Sequence, residues 1–159
     1  MKSTVYIETT IVSYLTAWPS KDVVRSAQQQ TTSSWWSAAS ARFDLVTSQL
    51  VIIEASEGDP TAAADRINAL AHIPVLEISE AASRIADALV VAGAIPSVAA
   101  RDALHVGICA ANGIHFLLTW NFKHLANAIL RDQIVEVCEG NGFAAPVICT
   151  PEELQEELP

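Results

Sequence analysis

Short apolar or β-branched runs alternate along this chain with longer segments of helical periodicity. The runs predict five strands, at positions 4–7, 44–47, 73–76, 115–119 and 147–149. Helical segments fill the gaps, and this alternation favours a mainly parallel sheet covered by helices on both faces. The pattern therefore predicts an α/β protein whose functional site lies at the carboxyl ends of its strands.

Turn and capping residues place several helix ends. Gly58-Asp59-Pro60 has the order of a helix-ending glycine, an N-cap and a proline at the first helical position. Ser79 is placed to cap the helix SEAASRIADALVVAG, and another helix is expected to start at Ser48. Periodicity predicts a long helix over 23–41. The spacing T-x-x-E from Thr150 predicts a last short helix after the fifth strand.

Four polar side chains interrupt apolar stretches close to the predicted strand ends. Glu8 follows TVYI, Glu54 lies in LVIIEAS, Asp102 lies in AARDALHVG, and Asn121 follows HFLLTW. Burying an unpaired carboxylate is costly and shifts its pKa, so a partner is expected. Glu8 and Asn121 come directly after strands, and two helices can bring the other carboxylates to the same edge. Three carboxylates suit a hard divalent cation such as Mg²⁺ far better than zinc.

Each of these residues also has a structural explanation of its own. Glu54 could pair with an arginine, Asp102 could stabilise a helix N-terminus, and Asn121 could be a cap or turn residue. His105 lies three residues after Asp102 on the same helical face, and it is predicted to be a packed, hydrogen-bonded histidine. The recurrence of these residues at topologically equivalent places favours a shared site.

Length, hydrophobic content and cysteine pattern indicate the number of domains, the oligomeric state and the cellular location. A chain of 159 residues fits one domain that can bury a core without cross-links. Its 51% hydrophobic content and positive mean hydropathy of +0.30 predict that some apolar surface is hidden in a homodimer. Three cysteines without a CxxC pair argue against a disulfide framework or a zinc site and favour the cytosol. No signal peptide or membrane span is expected, so the predicted location is cytoplasmic.

The net charge of −9 is concentrated at the carboxyl end. Positions 132–159 contain seven acids and no lysine or arginine, whereas the preceding part has eleven acids against nine bases. This acidic segment is either a solvated helix end or a patch that faces a basic partner. The candidate phosphate contacts in the remaining chain are Arg25, Arg101, Lys123 and Arg131.

Four tryptophans are candidates for stacking on RNA bases. Trp35 and Trp36 are adjacent on the long helix and cannot share a face, so one is expected in the core, with Trp36 the better surface candidate. Trp18 lies in a loop that could border the cleft, and Trp120 directly precedes Asn121. Trp120 is therefore expected to line or brace the pocket.

In order along the chain, YIETT, the acidic segment SQLVIIEAS, RDALHVGICA and LLTWN resemble the PIN-domain nucleases, particularly the VapC-like toxins of toxin–antitoxin pairs. The resemblance covers nearly the whole chain, and DALHVGICAANGIHFLLTWN is its most specific part. It implies a single PIN-like domain over residues 1–159, a three-layer α/β/α sandwich with a central five-stranded sheet. It also implies an acidic pocket that holds Mg²⁺ or Mn²⁺ for the cleavage of RNA, and an antitoxin protein as partner.

The family pattern assigns roles to particular positions and differs from this chain at two of them. Glu8 stands where the family has an aspartate, and Asn121 stands at the fourth acidic position, within a TWNxKH segment typical of a sub-branch. The implied metal ligands are Glu8, Glu54 and Asp102, and the catalytic set adds Asn121. Ligand orientation or substrate contact is assigned to Thr10, Trp120, Lys123 and His124.

The resulting hypothesis is a metal-dependent endoribonuclease that acts as a toxin. With Asn121 in place of a carboxylate, one tightly held ion is favoured, and any second ion is expected to arrive with the substrate phosphate. The alternative is a PIN-like scaffold with weakened catalysis that binds protein or RNA. A receiver-type phosphoacceptor is disfavoured because IPVLEIS has no aspartate, and an aspartyl phosphatase because YIETT has no second acid.

Overall fold

The computed structural model describes residues 1–155 and contains one five-stranded sheet in which every pair of neighbouring strands is parallel. The strand order is β3-β2-β1-β4-β5. This confirms the predicted α/β class and the parallel sheet. The strands are β1 (Thr4–Ile7), β2 (Asp44–Ser48), β3 (Val75–Leu76), β4 (Phe116–Leu118) and β5 (Val147–Cys149).

Seven α-helices and one 3₁₀ turn connect the strands within the described residues. The long second helix confirms the one predicted over 23–41. The helices are α1 (Thr9–Thr16), α2 (Val23–Arg42), α3 (Gln49–Ala55), α4 (Pro60–Ala69), α5 (Glu80–Val91), α6 (Ala100–Ala111) and α7 (Ala128–Gly140), and the 3₁₀ turn is Ser97–Ala99.

The predicted caps form as hydrogen bonds. The side chains of Ser48, Asp59 and Ser79 each accept a bond from a backbone N–H in the first turn of the following helix. Gly58 before Asp59 has φ +84°, a left-handed conformation that glycine adopts without strain. These caps end one element and start the next within one or two residues, so they set the connections that lead to the site.

Two strands are shorter than predicted: β4 covers 116–118 instead of 115–119, and β3 is shortened at its start for a local reason. β3 begins at Val75 rather than at Ile73, because the Ile73 N–H closes the turn after α4 on the carbonyl of Leu70. The segment NFKHLANA does not form a continuous helix. Residues 122–126 make a separate turn, and α7 begins only after the Asn127 side chain caps the N–H of Ile129.

The capping box predicted at Thr150 is present. Thr150 N–H donates to Glu153 Oε1, and Glu153 N–H donates to Thr150 Oγ1, both at 3.3 Å. The segment forms a turn over 151–154 rather than a regular helix. The acidic carboxyl-terminal segment predicted from about position 132 continues into residues 156–159, which lie outside the described residues. Within 1–155 no helix is long and apolar enough to cross a membrane.

β1 is the centre of the core. Its residues Val5, Tyr6 and Ile7 are fully buried, as expected for a parallel strand covered on both faces. β2 and β3 lie on one side of β1, and β4 and β5 lie on the other. Strands are therefore added on one side of β1 up to β3 and on the other side from β4 onward, so the switch point of the strand order lies between β1 and β4. A crevice at the carboxyl ends of such strands is the usual binding place in open α/β sheets.

Candidate acidic site at the carboxyl edge of the sheet

Glu8 lies directly after β1 and serves as the N-cap of α1. Its carboxylate accepts hydrogen bonds from Thr10 N–H at 2.6 Å and from Thr119 Oγ1 at 3.2 Å. The residue is only 2% exposed. Burial raises the pKa of Glu8, and the nearby His105 and the bonds from Thr10 oppose that rise only in part. Glu8 is thus a buried acid that would gain from a cation.

Glu54 lies in the last turn of α3 and is held by three side chains. Thr9 Oγ1 and His105 Nε2 both donate to Glu54 Oε1 at 2.7 Å, and Arg101 lies 3.9 Å from Oε2. Burial acts to raise the pKa of Glu54, but the bonds from His105 and Thr9 and the charge of Arg101 leave it lowered overall. Glu54 is therefore the carboxylate of this site that is best stabilised as an anion.

His105 connects Glu54 to the core of the sheet. The histidine is 1% exposed, and its Nδ1 shares a 2.7 Å hydrogen bond with the Tyr6 hydroxyl. Tyr6 in turn shares a 2.7 Å bond with Ser48 Oγ, the N-cap of α3. This confirms the prediction of a packed, hydrogen-bonded His105. The series of hydrogen bonds from Ser48 through Tyr6 and His105 fixes the position of Glu54 Oε1.

Replacing Tyr6 by phenylalanine is expected to cost about 1–3 kcal/mol in the free energy of unfolding, because His105 and Ser48 would each lose a buried partner. Urea unfolding in EDTA measures this directly. The matched control is Tyr14→Phe, a half-buried tyrosine that stacks on Trp120, and it should change stability by less than about 0.5 kcal/mol. Equal losses in the two variants would contradict the role of the Tyr6 hydroxyl.

Asp102 lies in the first turn of α6 and is partly exposed. Burial raises the pKa of Asp102, and Glu54 adds to the rise, whereas a hydrogen bond from Asn121 and the charges of His105 and His124 act to lower it. The structure therefore places Asp102 in the same electrostatic neighbourhood as Glu54 and Asn121. The adjacent Arg101 forms a 2.8 Å ion pair with Glu57.

Asn121 and His124 lie on the single turn that follows β4. The Asn121 Oδ1 accepts a bond from His124 N–H at 3.1 Å, and the Asn121 carbonyl accepts from Ala126 N–H at 2.7 Å. Asn121 is thus both a cap for this turn and a partner of Asp102. Lys123 is exposed on the same turn.

Thr10 and Trp120 join the first strand end to the fourth. Trp120 N–H donates to Thr10 Oγ1 at 2.9 Å, and the buried indole Nε1 donates to Thr32 Oγ1 at 2.8 Å. Thr10 also supplies the N–H that binds Glu8. Both residues therefore join the end of β4 to the Glu8 cap, and their assignment to ligand orientation or substrate contact stays a prediction.

The other aromatic and basic candidates lie in different settings. Trp35 is the buried member of its pair and donates from Nε1 to the Leu154 carbonyl at 3.0 Å, as predicted, whereas Trp36 is partly exposed. Trp18 lies beside Asp59 and Asp65 rather than among the acids of the site. The guanidinium of Arg25 lies over the Tyr14 ring, and Arg131 pairs with Glu153 at 3.4 Å.

The side chains at the site are not arranged as a finished metal site. Within residues 1–155 no three Asp, Glu, His or Cys side chains already have the spacing of ligands around one ion. The chemistry of the set nevertheless fits a hard cation. Glu8 and Asp102 both repel Glu54 and have raised pKa values, and their oxygens are the ligand type that Mg²⁺ prefers. Small side-chain movements would have to complete the coordination, and the assignment stays a prediction.

Four residues of this site were missed in the sequence. Tyr6 looked like an ordinary strand residue and Ser48 like a helix start only, and no role at the site was expected of Thr9 or Thr119. The available signal was a hydroxyl close to two of the predicted site residues, since Thr9 follows Glu8 and Thr119 lies two residues before Asn121. Their partners are 45 and 111 residues away, so sequence spacing could not identify the bonds.

No family model matches this sequence, and no curated protein matches it either. Solved structures do match. A chain of VapBC2 from Rickettsia felis, crystallised with a DNA fragment from their promoter, aligns at TM-score 0.58 and 12% identity over 92% of this chain and 98% of that one. VapC20 of Mycobacterium tuberculosis, described as a sarcin-ricin loop cleaving toxin, aligns at TM-score 0.54 and 16% identity over 89% and 99%.

This chain has the PIN fold of VapC toxins. The expected VapC-like architecture is thereby confirmed over nearly the whole length of this chain and of the two solved chains. At 12% and 16% identity the likeness concerns the fold alone, so the activity of a VapC toxin is argued below from the residues.

Proposed function

We propose that this protein is a Mg²⁺- or Mn²⁺-dependent endoribonuclease and the toxin of a toxin–antitoxin pair. The observation that carries the proposal is that the elements of the three acids are joined at Glu54: Thr9, next to Glu8, and His105, one turn after Asp102, both bind Glu54 Oε1 at 2.7 Å. Glu8 lies at the switch point of a VapC-like sheet, where such folds bind ligands. Acids with pKa values that are perturbed by burial and by neighbouring charges are typical of a functional site.

Glu8, Glu54 and Asp102 would hold the ion, which when bound supplies positive charge that polarises a phosphodiester and makes a water molecule more acidic. The chain's own residues do the positioning. Thr10 fixes the Glu8 carboxylate, and His105 with Thr9 fixes Glu54. Such outer partners orient ligands and tune their basicity.

The turn after β4 is proposed to orient the substrate. Asn121 contacts Asp102 and can direct a water molecule or a phosphate oxygen toward it. Lys123 is exposed on this turn, and His124 is electrostatically coupled to Asp102. In this proposal both side chains neutralise phosphate charge beside the acids, which would otherwise repel RNA.

An antitoxin and a second copy of the chain are the proposed partners. Val91, Val98 and Ile129 are large apolar residues that remain exposed, which supports burial in a homodimer. The three cysteines are free and buried, which is compatible with the proposed cytoplasmic location. The assignment of an antitoxin follows from the VapC-like fold.

A second candidate function is a PIN-like scaffold with weakened catalysis that binds protein or RNA. The observation that favours it is that Glu54 is already engaged by Thr9, His105 and Arg101. An acid held in this way needs no ion. The two functions differ in one property, which is metal-dependent cleavage.

Incubation with structured RNA hairpins, including a sarcin-ricin loop oligonucleotide, tests the proposal. Cleavage should appear with Mg²⁺ or Mn²⁺, disappear with EDTA and return when the ion is restored. Asp102→Asn, purified in parallel, should not cleave, whereas Asp87→Asn on the exposed side of α5 should match the parent protein. Cleavage shared by all three proteins indicates a contaminating nuclease, and its absence from all three supports the binding scaffold.

A further inference from the structure

Phe122 leaves its ring in solvent directly beside the acidic site. The residue is 51% exposed and lies between Asn121, which contacts Asp102, and the exposed Lys123. The ring packs on Trp120, whose N–H binds Thr10, and the Thr10 N–H in turn binds the Glu8 carboxylate, so Phe122 is tied to the site through two residues. A large apolar ring and a cation are thus placed together at the edge of a site proposed to cut RNA.

The ring is held in place before any ligand binds. It packs against Trp120 with the ring centres 6.0 Å apart and the planes inclined by 56°. Trp120 is buried and stacks on Tyr14, with centres 5.9 Å apart and planes at 12°. The hydrogen bonds of Asn121 to His124 N–H and Ala126 N–H fix the backbone on which Phe122 lies. A braced aromatic surface loses little entropy when a ligand stacks on it.

Nucleobase stacking accounts for this combination. Single exposed apolar residues are common and do not by themselves indicate a binding site. Here the exposed ring is preorganised, next to a cation, and adjacent to the residue that contacts Asp102. Unpaired bases in RNA bind by stacking on aromatic rings, while lysine contacts the neighbouring phosphate. A base inside a duplex already has its faces covered and cannot stack in this way.

We propose that Phe122 is the stacking platform for one unpaired nucleobase next to the phosphodiester that is cut, with Lys123 on the adjoining phosphate. The assignment rests on the proposed ribonuclease function and specifies its substrate as RNA with an unpaired nucleotide at the cleavage point. Stacking accepts any base, so this platform selects the unpaired state rather than a particular sequence.

RNA binding is measured by fluorescence anisotropy with a labelled hairpin whose loop is single-stranded, using Asp102→Asn protein so that the RNA stays intact. Adding Phe122→Leu, which keeps apolar bulk but removes the aromatic face, should raise Kd about five- to a hundred-fold. Phe122→Tyr should restore binding. The matched control is Trp18→Leu, a 92% exposed aromatic located beside Asp59 and Asp65, which should bind like its parent.

A series of hairpins, each with one abasic nucleotide, identifies the stacked base. At one loop position the abasic RNA should bind parent and Phe122→Leu proteins equally, because the contact is already gone. Lys123→Gln should lower the slope of log Kd against log salt by about one, whereas Phe122→Leu should leave it unchanged. These two readouts separate stacking from a general loss of charge or folding.

The inference is overturned if Phe122→Leu binds RNA like the parent, if tyrosine does not restore binding, or if no abasic position removes the effect. An effect of Phe122→Leu on self-association alone would also overturn it and make the ring part of a protein interface. Cleavage by the wild-type chain is assayed separately. Phe122-dependent binding without cleavage would keep the base-stacking role of Phe122 but reject both the ribonuclease function and a cut next to that base. Cleavage that does not depend on Phe122 would keep the ribonuclease function and reject the stacking role.

Discussion

Replacing Glu8 by glutamine should lower kcat for RNA cleavage by about a hundred-fold or more and should leave the metal-free protein at least as stable as the wild type. Glutamine has nearly the same shape and keeps an oxygen for Thr10 N–H, but it removes one of three anions proposed to bind the ion. Loss of a metal ligand removes several kcal/mol of transition-state stabilisation. Single-turnover cleavage at saturating RNA measures this effect.

Whereas kcat should fall in Glu8→Gln, the free energy of unfolding of the metal-free variant should rise, because burial raises the pKa of Glu8. In the folded, metal-free protein the ionised form of Glu8 is disfavoured relative to the unfolded chain. That cost is absent below the ordinary carboxyl pKa and develops as the pH rises through the raised folded value. Unfolding experiments in EDTA should therefore show no gain for Glu8→Gln at pH 4 and a gain in the free energy of unfolding at pH 8.

Added Mg²⁺ should make the wild-type protein more stable than Glu8→Gln. The wild-type protein should be stabilised by about 2.7 kcal/mol when the ion is present at a hundred times its dissociation constant, whereas Glu8→Gln should gain far less. Glu136→Gln, an exposed acid in α7, is the matched control and should behave like the wild type in every arm. If Glu8→Gln retained full cleavage, Glu8 would be a structural cap of α1 and the metal assignment would have to be revised.

Most of the fold could be predicted from local sequence signals. Parallel strands buried on both faces are apolar throughout, so TVYI and the fifth strand were visible as short runs. The caps at Ser48, Asp59 and Ser79 rely on hydrogen bonds over two or three residues, which the sequence displays directly. Signals of this kind need no information about distant parts of the chain.

The turn after β4 was harder to predict because competing local bonds decide it. NFKHLANA has residues compatible with helix, but Asn127 caps α7 and thereby ends the previous turn. Asn121 and His124 nevertheless lie on one short turn, and both act on the pKa of Asp102. A one-turn structure and the first turn of a helix place these side chains alike.

The acids of the candidate site could be predicted from the sequence, but the hydrogen bonds that hold them could not. Glu8, Glu54 and Asp102 stood out because carboxylates in apolar segments need partners. The partner of Glu54 was anticipated as an arginine or a metal ion, whereas His105 and Thr9 make its shortest bonds. Those bonds join elements 51 and 45 residues apart, and only the fold brings them together.

Replacing Gly107 by alanine should destabilise the protein by about 3 kcal/mol or more, although glycine-to-alanine changes inside helices normally stabilise by about 1 kcal/mol. Gly107 is buried in α6 where that helix packs against α5. A Cβ at this position would collide with the Ala82 carbonyl oxygen and would lie 3.1 Å from its carbon and 3.3 Å from Ala86 N. These are backbone atoms, which cannot rotate away.

Relief of this collision would require α5 and α6 to separate. α6 carries Asp102 and His105, so the same movement should weaken the group around Glu54 and reduce Mg²⁺ binding along with stability. Gly140→Ala is the matched control, because a Cβ there meets no atom within 4 Å and the change should be neutral or stabilising. Thermal unfolding of both variants with and without Mg²⁺ tests this, and a Gly107→Ala protein as stable as the wild type would mean that the helices are not in fixed backbone contact.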